Sequence, residues 1–89
     1  MDERYFNLKS MINAGYTRAL KRYNKYHRSL HPEEALYILR YLTRIVELVG
    51  QVEAIELSDS RRYSKLFDIQ YEVFICERKV HQAIDKEID

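Results

Sequence analysis

The segment 34–57 constrains the fold more than any other part of the chain, because apolar side chains occupy an unusually wide arc of it. At about 100° per residue the arc spans about 200°, roughly twice the width that a helix lying on a single partner needs. Its members are Ala35, Tyr37, Ile38, Leu39, Tyr41, Leu42, Ile45, Val46, Leu48, Val49, Val52 and Ile55. We therefore predict a central helix that packs against at least two neighbours.

The rest of the composition favours long helices as well. Two glycines and one proline among 89 residues are few for a sheet, which needs many turns. With 46% hydrophobic and 33% charged residues, the chain is typical of a folded protein rather than a disordered one. We expect a single domain over residues 1–89 with an all-α fold. It should contain three long helices, at about 3–30, 32–57 and 60–88, in an antiparallel up-down-up bundle.

The first predicted helix is amphipathic, with apolar residues spaced by threes and fours along one side. They are Tyr5, Leu8, Ile12, Tyr16, Ala19, Tyr23, Tyr26 and Leu30. Gly15 lies inside this helix at a cost of about 1 kcal/mol relative to alanine, which predicts a close helix crossing there. Pro32 fits the first position of a helix and disfavours helix at His31, so the first helix should end near Leu30.

The third predicted helix carries a heptad pattern of apolar residues. Ser58, Asp59 and Ser60 precede it, and these residue types favour helix caps, so we predict a break there. One unbroken helix to the C-terminus is the alternative, because neither glycine nor proline enforces a stop. The apolar arcs of the second and third helices exceed what one small bundle can bury. We therefore predict a homodimer, with an interface formed by Leu66, Ile69, Val73, Cys76 and Val80.

Charge is strongly segregated along the chain, although the net charge is only +1. Residues 4–32 include seven Lys or Arg and no acid, whereas the remainder from Glu33 onward has twelve acids and eight bases. Within the first part, five cations share one helix face opposite the apolar side. This basic ridge consists of Arg18, Lys21, Arg22, Lys25 and Arg28. Nucleic acid, an acidic protein or a membrane surface could neutralise it, and an ordinary solvated face is the alternative.

No catalytic or metal-binding motif stands out in the sequence. His27 and His31 have the spacing of two ligands on one helix face, but no third His or Cys accompanies them. The single cysteine, Cys76, has apolar neighbours in the heptad pattern and is expected to be buried. We therefore expect no cofactor, no metal and no enzymatic activity. The N-terminus has no apolar signal core and no segment approaches the length of a membrane span, so we expect a cytoplasmic protein.

Two functions fit these features. The first is a small non-enzymatic helical binding protein that docks on nucleic acid or another polyanion through the basic ridge. The alternative is a protein-interaction or regulatory subunit that binds a partner protein through apolar, Tyr-rich helix faces. Salt dependence separates them, because polyanion binding weakens steeply with salt and apolar docking does not.

Overall fold

The computed structural model describes residues 3–56 and 58–88, and its regular structure is entirely helical within those ranges. Three α-helices, α1 (Glu3–Tyr26), α2 (Pro32–Ala54) and α3 (Arg62–Ile88), are joined by short connections, the first of which contains a 3₁₀ turn at His27–Ser29. The longest dimension is 45 Å, which requires the helices to lie side by side. The predicted all-α bundle of three long helices is confirmed.

The first connection is longer than predicted, since α1 ends at Tyr26 instead of Leu30. The chain continues in the 3₁₀ turn, where the amide of Leu30 donates to the carbonyl oxygen of His27 at 3.3 Å. His31 is extended at the cap of α2, as a residue before proline should be. Pro32 then begins α2, where its missing amide proton costs no hydrogen bond.

The second connection confirms the predicted break, and the unbroken helix is wrong. Ile55 is extended, so α2 ends at Ala54, and α3 begins only at Arg62. Leu57, the predicted end of the second helix, lies outside the described residues. Asp59 organises the turn, because one of its carboxylate oxygens accepts a hydrogen bond from the backbone amide of Arg61 at 2.8 Å. Its other oxygen is paired with Lys65 in the first turn of α3.

Side-chain pairs fix the directions of the helices. Arg18 pairs with Glu77 and Arg22 with Asp85, so residue numbers rise together along α1 and α3 and these two helices are parallel. α2 runs antiparallel to both. Near its C-terminal end, Oε1 of Glu53 lies 3.0 Å from Nζ of Lys9 in α1. α3 packs against both other helices. The result is the predicted up-down-up arrangement.

The core lies where the three helices converge and takes its side chains from the predicted apolar arcs. Its buried members are Tyr5, Leu8, Ile12, Ala19, Leu30, Ile38, Leu42, Ile45, Leu48, Val52, Leu66, Ile69, Val73, Cys76, Val80, Ala83 and Ile84. Several tyrosines pack with their rings against its margin, namely Tyr16, Tyr23, Tyr26, Tyr41 and Tyr63. No helix in the described part of the chain is long and apolar enough to cross a membrane.

The heptad pattern of α3 packs inside the single chain, and this changes where a homodimer interface can lie. All five residues predicted to form that interface belong to the core: Leu66, Ile69, Val73, Cys76 and Val80. The physical reason is that α3 packs against both other helices, so the side that carries these five residues is covered by α1 and α2. A second copy could reach these side chains only if the bundle opened.

Candidate functional site

A groove between α1 and α3, on the side away from α2, brings together the most distinctive surface residues of the chain. Three adjoining depressions along it share the side chain of Arg18. One end of this α1–α3 groove is lined by Met11 and Phe74, and the other by cations of the basic ridge. Because the two helices are parallel, the groove runs with a fixed register along both of them.

Gly15 explains why α1 and α3 lie so close together at the middle of the groove. A Cβ atom placed on Gly15 would lie 3.0 Å from Cγ1 of Val73 and 3.3 Å from Oε1 of Glu77. Any larger residue would therefore push the helices apart or displace the Glu77 carboxylate. The close helix crossing predicted from this glycine is confirmed.

The floor of the groove holds a buried carboxylate, Glu77, with only 8% of its surface exposed. Arg18 donates two hydrogen bonds to it, from Nε to Oε2 at 2.9 Å and from Nη2 to Oε1 at 3.0 Å. Burial by itself would raise the pKa of Glu77, but the hydrogen bonds from Arg18 and His81 outweigh it, so the pKa is lowered from its ordinary value. Glu77 is therefore held as an anion, and Arg18 is engaged in holding it.

His81 extends this network towards the ridge. Its Nε2 lies 2.9 Å from Oε2 of Glu77, and its Nδ1 lies 3.2 Å from Nη1 of Arg22. A guanidinium can only donate hydrogen bonds, so Nδ1 must accept one and the proton of the neutral ring is on Nε2. Arg22 also donates to Asp85 through its other terminal nitrogen. A continuous network therefore crosses from α1 to α3, and it consists of Arg18, Arg22, Glu77, His81 and Asp85.

The basic ridge is divided by this network into two parts. Arg18 and Arg22 pair with carboxylates of α3, although the Arg18 side chain remains 61% exposed. Lys21, Lys25 and Arg28 are exposed, and none of them forms an ion pair with another described residue. These three cations of the ridge are available to an external anion, and Nζ of Lys25 also lies 5.2 Å from the centroid of the Tyr26 ring.

The opposite end of the α1–α3 groove is lined by Met11 and Phe74, and an exposed aromatic patch of α3 adjoins it. Phe67, Tyr71 and Phe74 follow one another at spacings of four and three along α3, and they are 45%, 67% and 53% exposed. Met11 of α1, which lines the groove beside Phe74, is 51% exposed. The guanidinium carbon of Arg4 lies 5.7 Å from the centroid of the Phe67 ring, and the exposed Arg78 lines the groove beside Phe74. This aromatic end was not predicted, since its exposure depends on where α1 lies.

The other candidates from the sequence are not assembled into sites. His27 and His31 face different partners, because Nδ1 of His27 lies 2.9 Å from the carbonyl oxygen of Asn24 and His31 points towards Glu87. No cluster of three His, Cys, Asp or Glu side chains suited to a metal occurs among the described residues. Cys76 is buried, and burial raises the pKa of its thiol, which makes the sulfur a poor nucleophile.

Comparison of the chain with protein-family models, curated proteins and solved structures found no match.

Proposed function

We propose that the protein is a helical binding module that docks a negatively charged partner at the basic end of the α1–α3 groove. One observation carries the proposal: Lys21, Lys25 and Arg28 project into solvent without an acidic partner among the described residues. Like charges this close together repel each other, and an external anion relieves that repulsion.

The number of cations that take part determines how salt affects binding. Each nucleic-acid phosphate contact contributes a slope of about −0.7 to −0.9 to the dependence of log affinity on log salt. Three contacts predict a loss of about 20- to 40-fold between about 50 and 200 mM salt, and five predict a loss of several hundred-fold. Because Arg18 and Arg22 are already paired with Glu77 and Asp85, we expect the smaller loss.

The direct test reverses the three projecting charges. The triple variant Lys21→Glu, Lys25→Glu and Arg28→Glu should abolish binding to heparin and to duplex DNA at about 50 mM salt. Its circular dichroism melt should change little, because surface substitutions usually alter stability by about 0.5 kcal/mol or less.

A matched control has the same change in net charge on other surfaces of the bundle. Arg40, Arg61 and Lys86 are exposed, and their replacement by glutamate should leave most of the binding intact. If the control variant loses as much affinity as the ridge variant, only net charge matters and the groove is not the site. If the wild-type protein binds no polyanion at about 50 mM salt, the proposed function is wrong.

A protein-interaction role is the second candidate, and the exposed aromatic end of the α1–α3 groove favours it. Three aromatic side chains that are about half exposed offer roughly 300 Å² of apolar surface, at about 200 Å² for a whole aromatic side chain. Patches of this size on monomers are often functional. Tyrosine itself contributes less than predicted, because of the eight tyrosines only Tyr37 and Tyr71 are among the exposed large side chains.

A further inference from the structure

We propose that the α1–α3 groove binds an acidic amphipathic helix of a partner protein. The apolar residues of that helix would pack on Phe67, Tyr71 and Phe74, and its carboxylates would meet Lys21, Lys25 and Arg28. The inference rests on the proposed function, because the basic end of the groove must bind anions. It goes further by naming the chemical class of the partner and by assigning a role to the aromatic end.

The two ends of the groove are continuous and differ in character along the helix axis. α1 and α3 are parallel, and Arg18 pairs with Glu77, so Phe74 lies near the level of Gly15. The aromatic side chains therefore occupy the levels before Arg18, and the projecting cations occupy the levels after it. A ligand that follows the groove meets apolar surface over one half and positive charge over the other.

This segregation distinguishes a helix from single-stranded nucleic acid. Each nucleotide presents both a phosphate and a base, so proteins that bind single strands combine cations and stacking aromatic side chains along the same track. Here the exposed aromatic side chains and the projecting cations lie at opposite ends of the groove. Near the aromatic end, Arg4 already stacks on the rings of Tyr63 and Phe67, and Arg78 lies one helical turn after Phe74, at about the level of Arg18. A helix with one apolar half and one acidic half has the complementary arrangement.

A second copy of the chain fits the groove less well. A stable dimer buries about 800 Å² on each partner, which is more than twice the roughly 300 Å² that the aromatic side chains offer. Symmetric pairing through the aromatic ends would also leave the cations of both copies uncovered. An incoming helix needs less area, because its acidic half adds charge-assisted contacts to the apolar ones.

The required ligand length follows from the helical rise. The distance from the level of Phe67 to that of Arg28 is about 30 Å at about 1.5 Å per residue, and contacts at both ends require a ligand helix of about 20 residues. Its acidic half suits the N-terminal end, where carboxylates also stabilise the helix dipole. We therefore take as the probe a labelled peptide of about 20 residues, with glutamates in its N-terminal half and leucine and phenylalanine on one face of its C-terminal half.

The test measures this peptide by fluorescence anisotropy beside heparin as the simple polyanion. Tyr71→Ala with Phe74→Ala should weaken peptide binding about tenfold or more, as loss of central aromatic anchors does, and leave heparin binding unchanged. Tyr71→Ala alone, at a side chain that is 67% exposed, provides a second variant with little effect on folding. The matched control, Leu36→Ala with Val46→Ala, removes comparably exposed apolar residues of α2 and should change neither affinity.

A second peptide, with alanine at every leucine and phenylalanine, separates the two proposals. If the wild-type protein binds it as tightly as the first peptide while heparin binding persists, the partner inference is wrong and the proposed function stands. If the protein binds neither heparin nor either peptide, both are wrong. Oligothymidine binding that depends on Tyr71 and Phe74 would assign the groove to nucleic acid. Self-association that depends on Phe74 and competes with the peptide would assign it to a second copy, and both results would overturn the inference.

Discussion

α3 has two neighbours, and its contacts with them differ in kind. Towards α1 the helices are parallel and approach closely at Gly15, and a buried network centred on Glu77 crosses the contact. Towards α2 the helices are antiparallel, and the charged pair between them, Arg44 with Glu72, lies nearer the surface. One apolar helix can therefore form two contacts whose polar residues differ in role: those towards α1 are buried and fix the helix positions, and those towards α2 are exposed.

The two charged pairs show this difference most clearly. The Glu77 side chain is 11% exposed, and the Glu72 side chain is 43% exposed. When one partner of a buried pair is removed, the remaining charge has neither water nor another ion to interact with. At the surface, water takes the place of a lost partner at little cost. Hydrogen bonds from Arg44 to Glu72 and Glu47 raise the pKa of Arg44, but an exposed guanidinium is protonated with or without them.

The strongest way to break the contact with α1 is to charge its centre. Val73→Asp should prevent stable folding, because Val73 is 2% exposed and a buried carboxylate without partners costs several kcal/mol, on the order of 3–5. Tyr71→Asp, two residues away and 67% exposed, is the matched control and should melt close to wild type. Circular dichroism melts measure both. Retention of full helicity by Val73→Asp, with only a change in oligomeric state, would restore Val73 to a dimer interface.

Val73 also shows how far the sequence predicts this fold. Periodicity predicts that Val73 and Leu66 are buried, because apolar residues at heptad spacing must be covered by something. Periodicity does not say whether the cover is a neighbouring helix of the same chain or a second chain. Only the parallel placement of α1 beside α3 decides that, and it depends on two connections whose geometry is set by local hydrogen bonds. The residues predicted to form the dimer interface are therefore buried, but the helices that bury them belong to the same chain.

The site was predictable in part for the same reason. Spacing alone places Lys21 and Lys25 on the exposed face of α1, and the structure agrees. It cannot show that Arg18 and Arg22 turn towards α3, since their partners Glu77 and Asp85 are about sixty residues away in sequence. The one local signal is Glu77, an acid adjacent to the apolar pattern of α3, which marks a position where a cation must approach.

A smaller effect should follow from removing the charge of Glu77 while keeping its shape. Glu77→Gln should lower the free energy of unfolding near pH 7 by about 1–3 kcal/mol, because hydrogen bonds from Arg18 and His81 to a charged acceptor are lost. Glu72→Gln removes the corresponding charge on the α2 side and should cost clearly less, since Glu72 is more exposed. Urea unfolding curves of the three proteins provide the measurement, and equal losses would contradict a special role for the buried network.

The difference in stability between the wild-type protein and Glu77→Gln should depend on pH. The pKa of Glu77 is lower in the folded protein than its ordinary value of 4.5, so the unfolded chain binds the proton more readily. The difference in free energy of unfolding between the wild-type protein and Glu77→Gln should therefore have its full value above about pH 4.5. It should disappear as the pH falls through the lower folded-state pKa. An advantage that persists unchanged at about pH 2 would show that the carboxylate charge is not its source.

The two glycines give the finest comparison, because they differ only in what surrounds them. Both lie within helices, where alanine is favoured over glycine by about 1 kcal/mol. Around Gly50 nothing lies within 4 Å of an added Cβ atom. Gly50→Ala should therefore gain most of this helix-propensity difference in stability and raise the melting temperature by several degrees. At Gly15 the added atom would lie 3.0 Å from Val73 and 3.3 Å from Glu77.

Neither neighbour of Gly15 can move away freely, so we expect Gly15→Ala to destabilise the protein. Val73 is packed in the core, and the Glu77 carboxylate is held by Arg18 and His81. Gly15→Ala should therefore lose more in strained packing than it gains in helix propensity, and its melting temperature should fall below that of wild type. Thermal melts of both variants test this directly. If both alanines stabilise the protein equally, α1 and α3 do not approach as closely as the network across their contact requires.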